Sequence, residues 1–251
     1  MRPPADHFSR HAPAYASHRP RYPEGLFDYL DTQVPGHNLA WDCAAGSGQA
    51  TLPLARRFNR VVATDISAAM LQHAPRHPAV DYRVAPAEAS GLEDACVDLV
   101  TVAQALHWLD SGTFYAEATR VLVSGGVLAV WTYGEQRLDE PALDHAVRNF
   151  YSNIGGPYWP AERRHVDSGY RTLSFPFPEI EPPPLIMQEN WSLAQFLGYV
   201  GTWSATQRFC EAVGHDPVGG LRQDLEQHWG DPSASRRILW PICLRIGFRP
   251  A

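Results

Sequence analysis

Lysine is absent from the 251-residue chain: all 21 basic residues are arginine. That excludes Schiff-base chemistry, a phosphate-loop lysine and a lysine general base. Cationic work falls to arginine, which stays protonated and clamps carboxylates or phosphates in two-pronged fashion. Cysteine is also scarce. Cys43, Cys96, Cys210 and Cys243 form no C-x-x-C pair and sit mostly in apolar runs, so reduced, buried thiols are expected rather than disulfides or a zinc site. No apolar run reaches the roughly 18 residues of a membrane span, and the opening residues lack the apolar centre of a secretory signal. A net charge of -6 argues against a nucleic-acid-coating surface. A cytoplasmic protein without nucleic-acid or membrane partners is expected; the oligomeric state is open.

What is present is a large apolar fraction, 45%, with 11% aromatics. That supports a sizeable core and argues against long disorder. Eleven histidines occur, and two pairs, His7/His11 and His73/His77, are spaced i,i+4. Pro75 interrupts the second pair and no cysteine or acidic set accompanies the first, so no metal is expected.

The chain divides into an arm (1–22), an α/β core (23–133), an inserted lid-like segment (134–185) and a completion of the sheet (186–251). Within the core, short apolar strands alternate with helices. Strands are expected at 39–41, 60–64, 80–84, 98–102 and 127–131. Helices are expected from Pro23 onward, over 49–58, after a Ser67 cap, and over 113–122, with Gly125-Gly126 turning into the fifth strand. This alternation specifies a doubly wound, mostly parallel sheet. Beyond Tyr133 the expectations are a helix over 141–151 and an irregular stretch rich in Gly, Pro and aromatics. A sixth strand over 185–191, helices over 192–213 and 221–229, and a closing edge strand over 238–248 broken by Pro241 follow.

Ligands of open α/β sheets bind beyond the carboxyl ends of the strands, where strand order reverses. The end of the first strand carries Asp42, the small residues Ala44, Ala45, Gly46 and Gly48, and then a helix start that favours an anionic group. Asp65 ends the second strand, placed to accept bonds from both ribose hydroxyls. Two ligand classes fit: a nicotinamide or flavin dinucleotide, and S-adenosylmethionine. The loop lacks the third glycine of G-x-G-x-x-G, with Thr51 in its place, which favours the second.

Four stretches carry a family resemblance. They are Tyr15-x-x-x-Arg19-Pro20-x-Tyr22-Pro23 in the arm and Asp42-x-Ala44-x-Gly46-x-Gly48-Gln49 in the loop. Ala87-Glu88 follows the third strand, and Gln104-Ala105-Leu106-His107-Trp108-Leu109-Asp110 follows the fourth. Together they resemble class I S-adenosylmethionine-dependent methyltransferases of the type 11 branch, similar to trans-aconitate methyltransferase homologues. Trp240-Pro241 is a weaker echo. The likeness covers most of the chain, least clearly 134–185. It implies a seven-stranded Rossmann-like sheet with an inserted lid, S-adenosylmethionine as cofactor and a small-molecule acceptor. Asp42, Ala44, Ala45, Gly46 and Gly48 would then line the methionyl side, and Asp65 and Ile66 the ribose. Ala87, Glu88 and Met70 would meet the adenine, Met70 being equally a core residue. Gln104 and Ala105 would complete the pocket, while Tyr15 and Arg19 would fold over the cofactor. Ala44 replaces a family glycine, tolerable at negative φ.

His107 is the candidate base for a hydroxyl or amine acceptor, or else a structural residue bonding the backbone. A carboxylate acceptor would need no base and would use an arginine clamp instead. Trp108, Tyr158, Trp159 and Trp203 are candidate acceptor-pocket residues, which suggests a planar or apolar molecule. Two rival readings stay open: a nicotinamide-dependent oxidoreductase and a non-catalytic S-adenosylmethionine-binding protein.

Overall fold

The computed structural model describes residues 18–250. Tyr15 and the first histidine pair lie outside the described residues. Among the described residues nine strands form: β1 (Leu39–Cys43), β2 (Arg60–Asp65), β3 (Val80–Val84), β4 (Val97–Ala103), β5 (Leu122–Tyr133), β6 (Arg137–Leu138), β7 (Glu179–Ile180), β8 (Leu185–Trp191) and β9 (Arg236–Phe248). They form one sheet in the order β3-β2-β1-β4-β5-β9-β6, with β7 and β8 also paired to β9. β1 to β5 run parallel, and β9 runs antiparallel to its neighbours. Strand order reverses between β2-β1 and β4, which places the crevice of a doubly wound sheet at the tips of β1 and β4. Seven strands have five or more residues, as the resemblance implies; β6 and β7 are two-residue additions.

The helices are α1 (Glu24–Asp31), α2 (Thr51–Ala55), α3 (Ala68–Gln72), α4 (Ser111–Val121), α5 (Pro141–Asn149), α6 (Arg163–Asp167), α7 (Leu193–Gly201), α8 (Ser204–Val213) and α9 (Val218–Trp229). The sheet alternation divides the core. Ala40, Val61 and Leu99 face one apolar layer with Leu26 and Phe27 of α1. Trp41, Val62 and Val100 face the other, with Phe114 and Ala118 of α4. The inner parallel strands β1, β2 and β4 are covered on both sides and are mostly apolar, whereas β3 at the edge is only half-buried.

Several expectations are corrected. β9 is no edge strand: β5 covers one flank over Ile242–Phe248 and β8 the other over Arg236–Ile242. Pro241 is tolerated because its pairing with β5 begins only at the next residue. The helix expected over 192–213 is two, separated by Thr202 and Trp203. The helix after the glycine loop is only five residues. Gly125-Gly126 lies within β5, at a break in register with β4 between Val97 and Leu99. A Cβ on Gly126 would stand 2.9 Å from the Val123 carbonyl oxygen, so only glycine fits this bulge. Of the four thiols only Cys43 is buried; Cys96 and Cys210 are half-buried and Cys243 is exposed. Among the described residues no helix is long and apolar enough to cross a membrane, and no His/Cys/Asp/Glu group could hold a metal.

Candidate active site

The chain after β1 takes left-handed turns at Ala44 (φ 56°), Gly46 (φ 57°) and Gly48 (φ 79°). Ala44 therefore does not have the negative φ expected of it, and its Cβ sits where glycine is at ease. Asp65 fastens this loop to the next one. One carboxylate oxygen accepts from the Gly46 amide and the other from the Ser67 amide, each at 2.8 Å. Ser67 then caps α3 by accepting from the Met70 amide at 3.1 Å. Met70, nearly buried, lies so close that a Cβ on Gly46 would meet its Cε at 3.3 Å.

Asp42 is placed differently from the expectation. Its side chain is fully buried behind the loop, accepting hydrogen bonds from Thr51 (2.6 Å) and Thr101 (2.9 Å), and does not line the crevice. Burial, only partly offset by the two hydroxyls, pushes its pKa from 3.8 up to about 6, with the charge of Asp65 adding to the rise. Gly48 also faces away, packing toward Tyr82, Ala74 and Pro75.

The stretch after β4 is held residue by residue. Gln104 adopts φ 56°, and its side-chain oxygen accepts from the Thr132 hydroxyl and the Tyr133 amide while its nitrogen donates to the Tyr133 carbonyl. Such over-determination is what holds a strained residue in place. Leu106 is buried in the core, and Asp110 caps α4 by accepting from the Thr113 amide. Between them His107 bonds through Nδ1 to the Tyr170 hydroxyl at 2.9 Å, with Trp108 stacked at a tilt 4.7 Å from its ring.

These elements enclose a cavity of about 290 Å³ at the strand tips. Ala44, Ala45, Gly46, Asp65, Ile66, Met70, Ala87, Glu88, Gln104 and Ala105 line it, with His107 and Trp108 at one end. Ile66, 38% exposed, offers a bare apolar face there. The sequence reading missed Tyr22, Ser47, Gln49, Ala50, Ser67, Ala85, Ala103, Leu109 and Glu162. Tyr22, Gln49 and Leu109 had a signal, since all three stand inside the quoted motifs; Glu162 comes from the insertion and had none.

A second cavity of about 50 Å³ shares Gln104, His107 and Trp108 with the first. Arg19 lines this one rather than the larger, donating to the Tyr133 hydroxyl and the Thr202 carbonyl and lying over the Tyr199 ring. Trp159 and Trp203 line it as well. Tyr158 lines neither cavity and packs edge-on against Phe209.

Comparisons with known proteins identify the family and the fold. A family profile described as "Methyltransferase domain" matches residues 41–130. A protein of Dictyostelium discoideum assigned as a methyltransferase is 31% identical over 224 residues, covering 88% of this chain and 85% of its own. A methyltransferase of Mycobacterium tuberculosis, uncharacterised in function, is 39% identical over about half of each chain. Among solved structures, one assigned as a type II methyltransferase from Anaeromyxobacter dehalogenans has 47% identity and a TM-score of 0.87, covering 92% of this chain and 98% of that one. A methyltransferase structure from Bacillus halodurans, at 19% identity and a TM-score of 0.50, shares the fold alone. The chain belongs to the class I methyltransferases, the S-adenosylmethionine-dependent family.

Proposed function

We propose that the protein methylates a small molecule, with its cofactor in the larger cavity and its acceptor reaching the His107–Trp108 end. The observation that carries this reading is Asp65. It fastens the glycine loop and lines the same cavity as Ala87 and Glu88 on one side and His107 on the other. The residues fit the cofactor. Two left-handed turns at Ala44 and Gly46 bring backbone close to the cavity, and the Asp65 carboxylate lines it at the tip of β2. Ile66 and Met70 supply apolar faces for the base. S-adenosylmethionine supplies a methyl group already activated on a sulfonium.

The protein then has to hold the acceptor in line with the departing sulfur and keep water out. Asp42 acts from behind the loop, its charge favouring a cationic ligand. His107 takes the proton when the acceptor is a hydroxyl or amine, with its ring held by Tyr170. The segment 134–185 forms the lid through Trp159, Glu162 and Arg163. The narrower likeness to trans-aconitate methyltransferase homologues belongs to this proposal and rests on the four motifs.

S-adenosylhomocysteine should raise the melting temperature, and labelled methyl groups should pass to a component of a metabolite extract. Stabilisation by NADH instead would support the oxidoreductase reading. Cofactor binding with no transfer to any extract would support the non-catalytic one.

A further inference from the structure

The second cavity is built differently from the first. Among the described residues no Asp or Glu lines it, and its arginines are Arg19 and Arg163. Gln136, only 2% exposed, also lines it, and its side-chain nitrogen is buried with no hydrogen-bond partner among the described residues. A buried donor left unpaired is costly, so its presence in a cavity wall calls for an acceptor from outside. Arg163 is held flat by Trp159, its guanidinium 4.6 Å from the ring centroid, and by Tyr151 at 5.4 Å. Its Nε donates to the Tyr151 hydroxyl and to Asp167, whereas Nη1 and Nη2 make no hydrogen bond among the described residues.

We infer that this cavity anchors the acceptor by a carboxylate, received by Arg163 and the Gln136 amide. The inference rests on the proposed methyl-transfer reading and specifies its substrate class. Two arginines and an unpaired amide N–H suit an acceptor-only head group, and a planar guanidinium matches two carboxylate oxygens. The cavity, about 50 Å³, has room for such a head. The body of the molecule lies toward Gln104, His107 and Trp108, the wall shared with the cofactor cavity, where the methyl group is delivered. Trp108, on that shared wall, favours a flat, unsaturated or aromatic body. The atom methylated is then on the body, near His107, and the carboxylate is the handle.

The test is calorimetric titration of the full chain, saturated with S-adenosylhomocysteine, with benzoate and with its neutral counterpart benzamide. Benzoate should bind at least about tenfold tighter, the scale of one charge-assisted hydrogen bond. Gln136→Glu keeps the side-chain shape but puts a carboxylate into the cage, and Arg163→Gln removes the cation. Each should weaken benzoate at least about tenfold and leave S-adenosylhomocysteine affinity unchanged, which also shows the variant folded. Wild-type protein that binds S-adenosylhomocysteine but takes benzoate no better than benzamide overturns the inference alone. Variants that retain benzoate affinity overturn it too. Failure to bind S-adenosylhomocysteine overturns the reading beneath it.

Discussion

The Nδ1 atom of His107 lies 2.9 Å from the phenol oxygen of Tyr170, a residue 63 positions later and completely buried. Tyr170 follows Gly169, and both adopt left-handed backbone (φ 64° and 61°), so the phenol is delivered by a special turn. Burial raises its pKa, which keeps it protonated across the working range. Tyr170→Phe should therefore lower kcat about tenfold and shift the pH profile of kcat, with little change in cofactor affinity. His107→Ala should abolish turnover. Steady-state kinetics from pH 5.5 to 9 separates this from a merely structural loss, which would leave the profile's shape alone.

Asp42 stores a trade between stability and binding. Its folded pKa, about 6, lies above the ordinary 3.8, so the unfolded chain releases the proton first. Stability therefore falls as pH rises from about 4 to 6 and is level above. Asp42→Asn should add on the order of 1–3 kcal/mol at pH 7 and little at pH 4, by urea denaturation. The same change should weaken S-adenosylmethionine binding, since the negative charge behind the loop is gone.

Ala44→Gly should relieve the left-handed strain, about 1–2 kcal/mol, against an unfolded-state penalty of about 0.4–1 kcal/mol. The expected net is a slight gain in melting temperature with cofactor affinity retained.

Glu117 accepts from Arg120 and from both the amide and hydroxyl of Ser90, and these bonds hold its pKa at about 2 against the usual 4.5. Its contribution is present above pH 4.5 and lost as pH falls toward 2. Glu117→Gln should cost about 1–2 kcal/mol at pH 7, allowing for screening at the half-open Arg120, and almost nothing at pH 2.

The inner strands were legible because a strand covered on both faces must be mostly apolar, as Val97–Ala103 is apart from Asp98 and Thr101. The Asp65 position was equally legible, since strand end and loop length locate it. The direction of the Asp42 side chain was not: spacing sets which strand tip a residue occupies, whereas Thr51 and Thr101 decide that it turns inward. Pro241 misled because a proline argues for an edge, and only tertiary pairing shows that β9 changes partners beside it. The second cavity had no sequence signature. Its walls come from segments near 19, 104, 134, 160 and 200, which only folding brings together.

β9 follows in the chain every strand it pairs with, and it holds β5 on one flank and β8 on the other. Assembly of the molecule is thus ordered in time. β1 to β4, around the proposed cofactor cavity, have all their partners early, while β5, which carries Tyr133 of the proposed acceptor chamber, gains its second partner only with β9. A nascent chain halted before β9 would be expected to recognise the donor without yet being able to choose what to methylate.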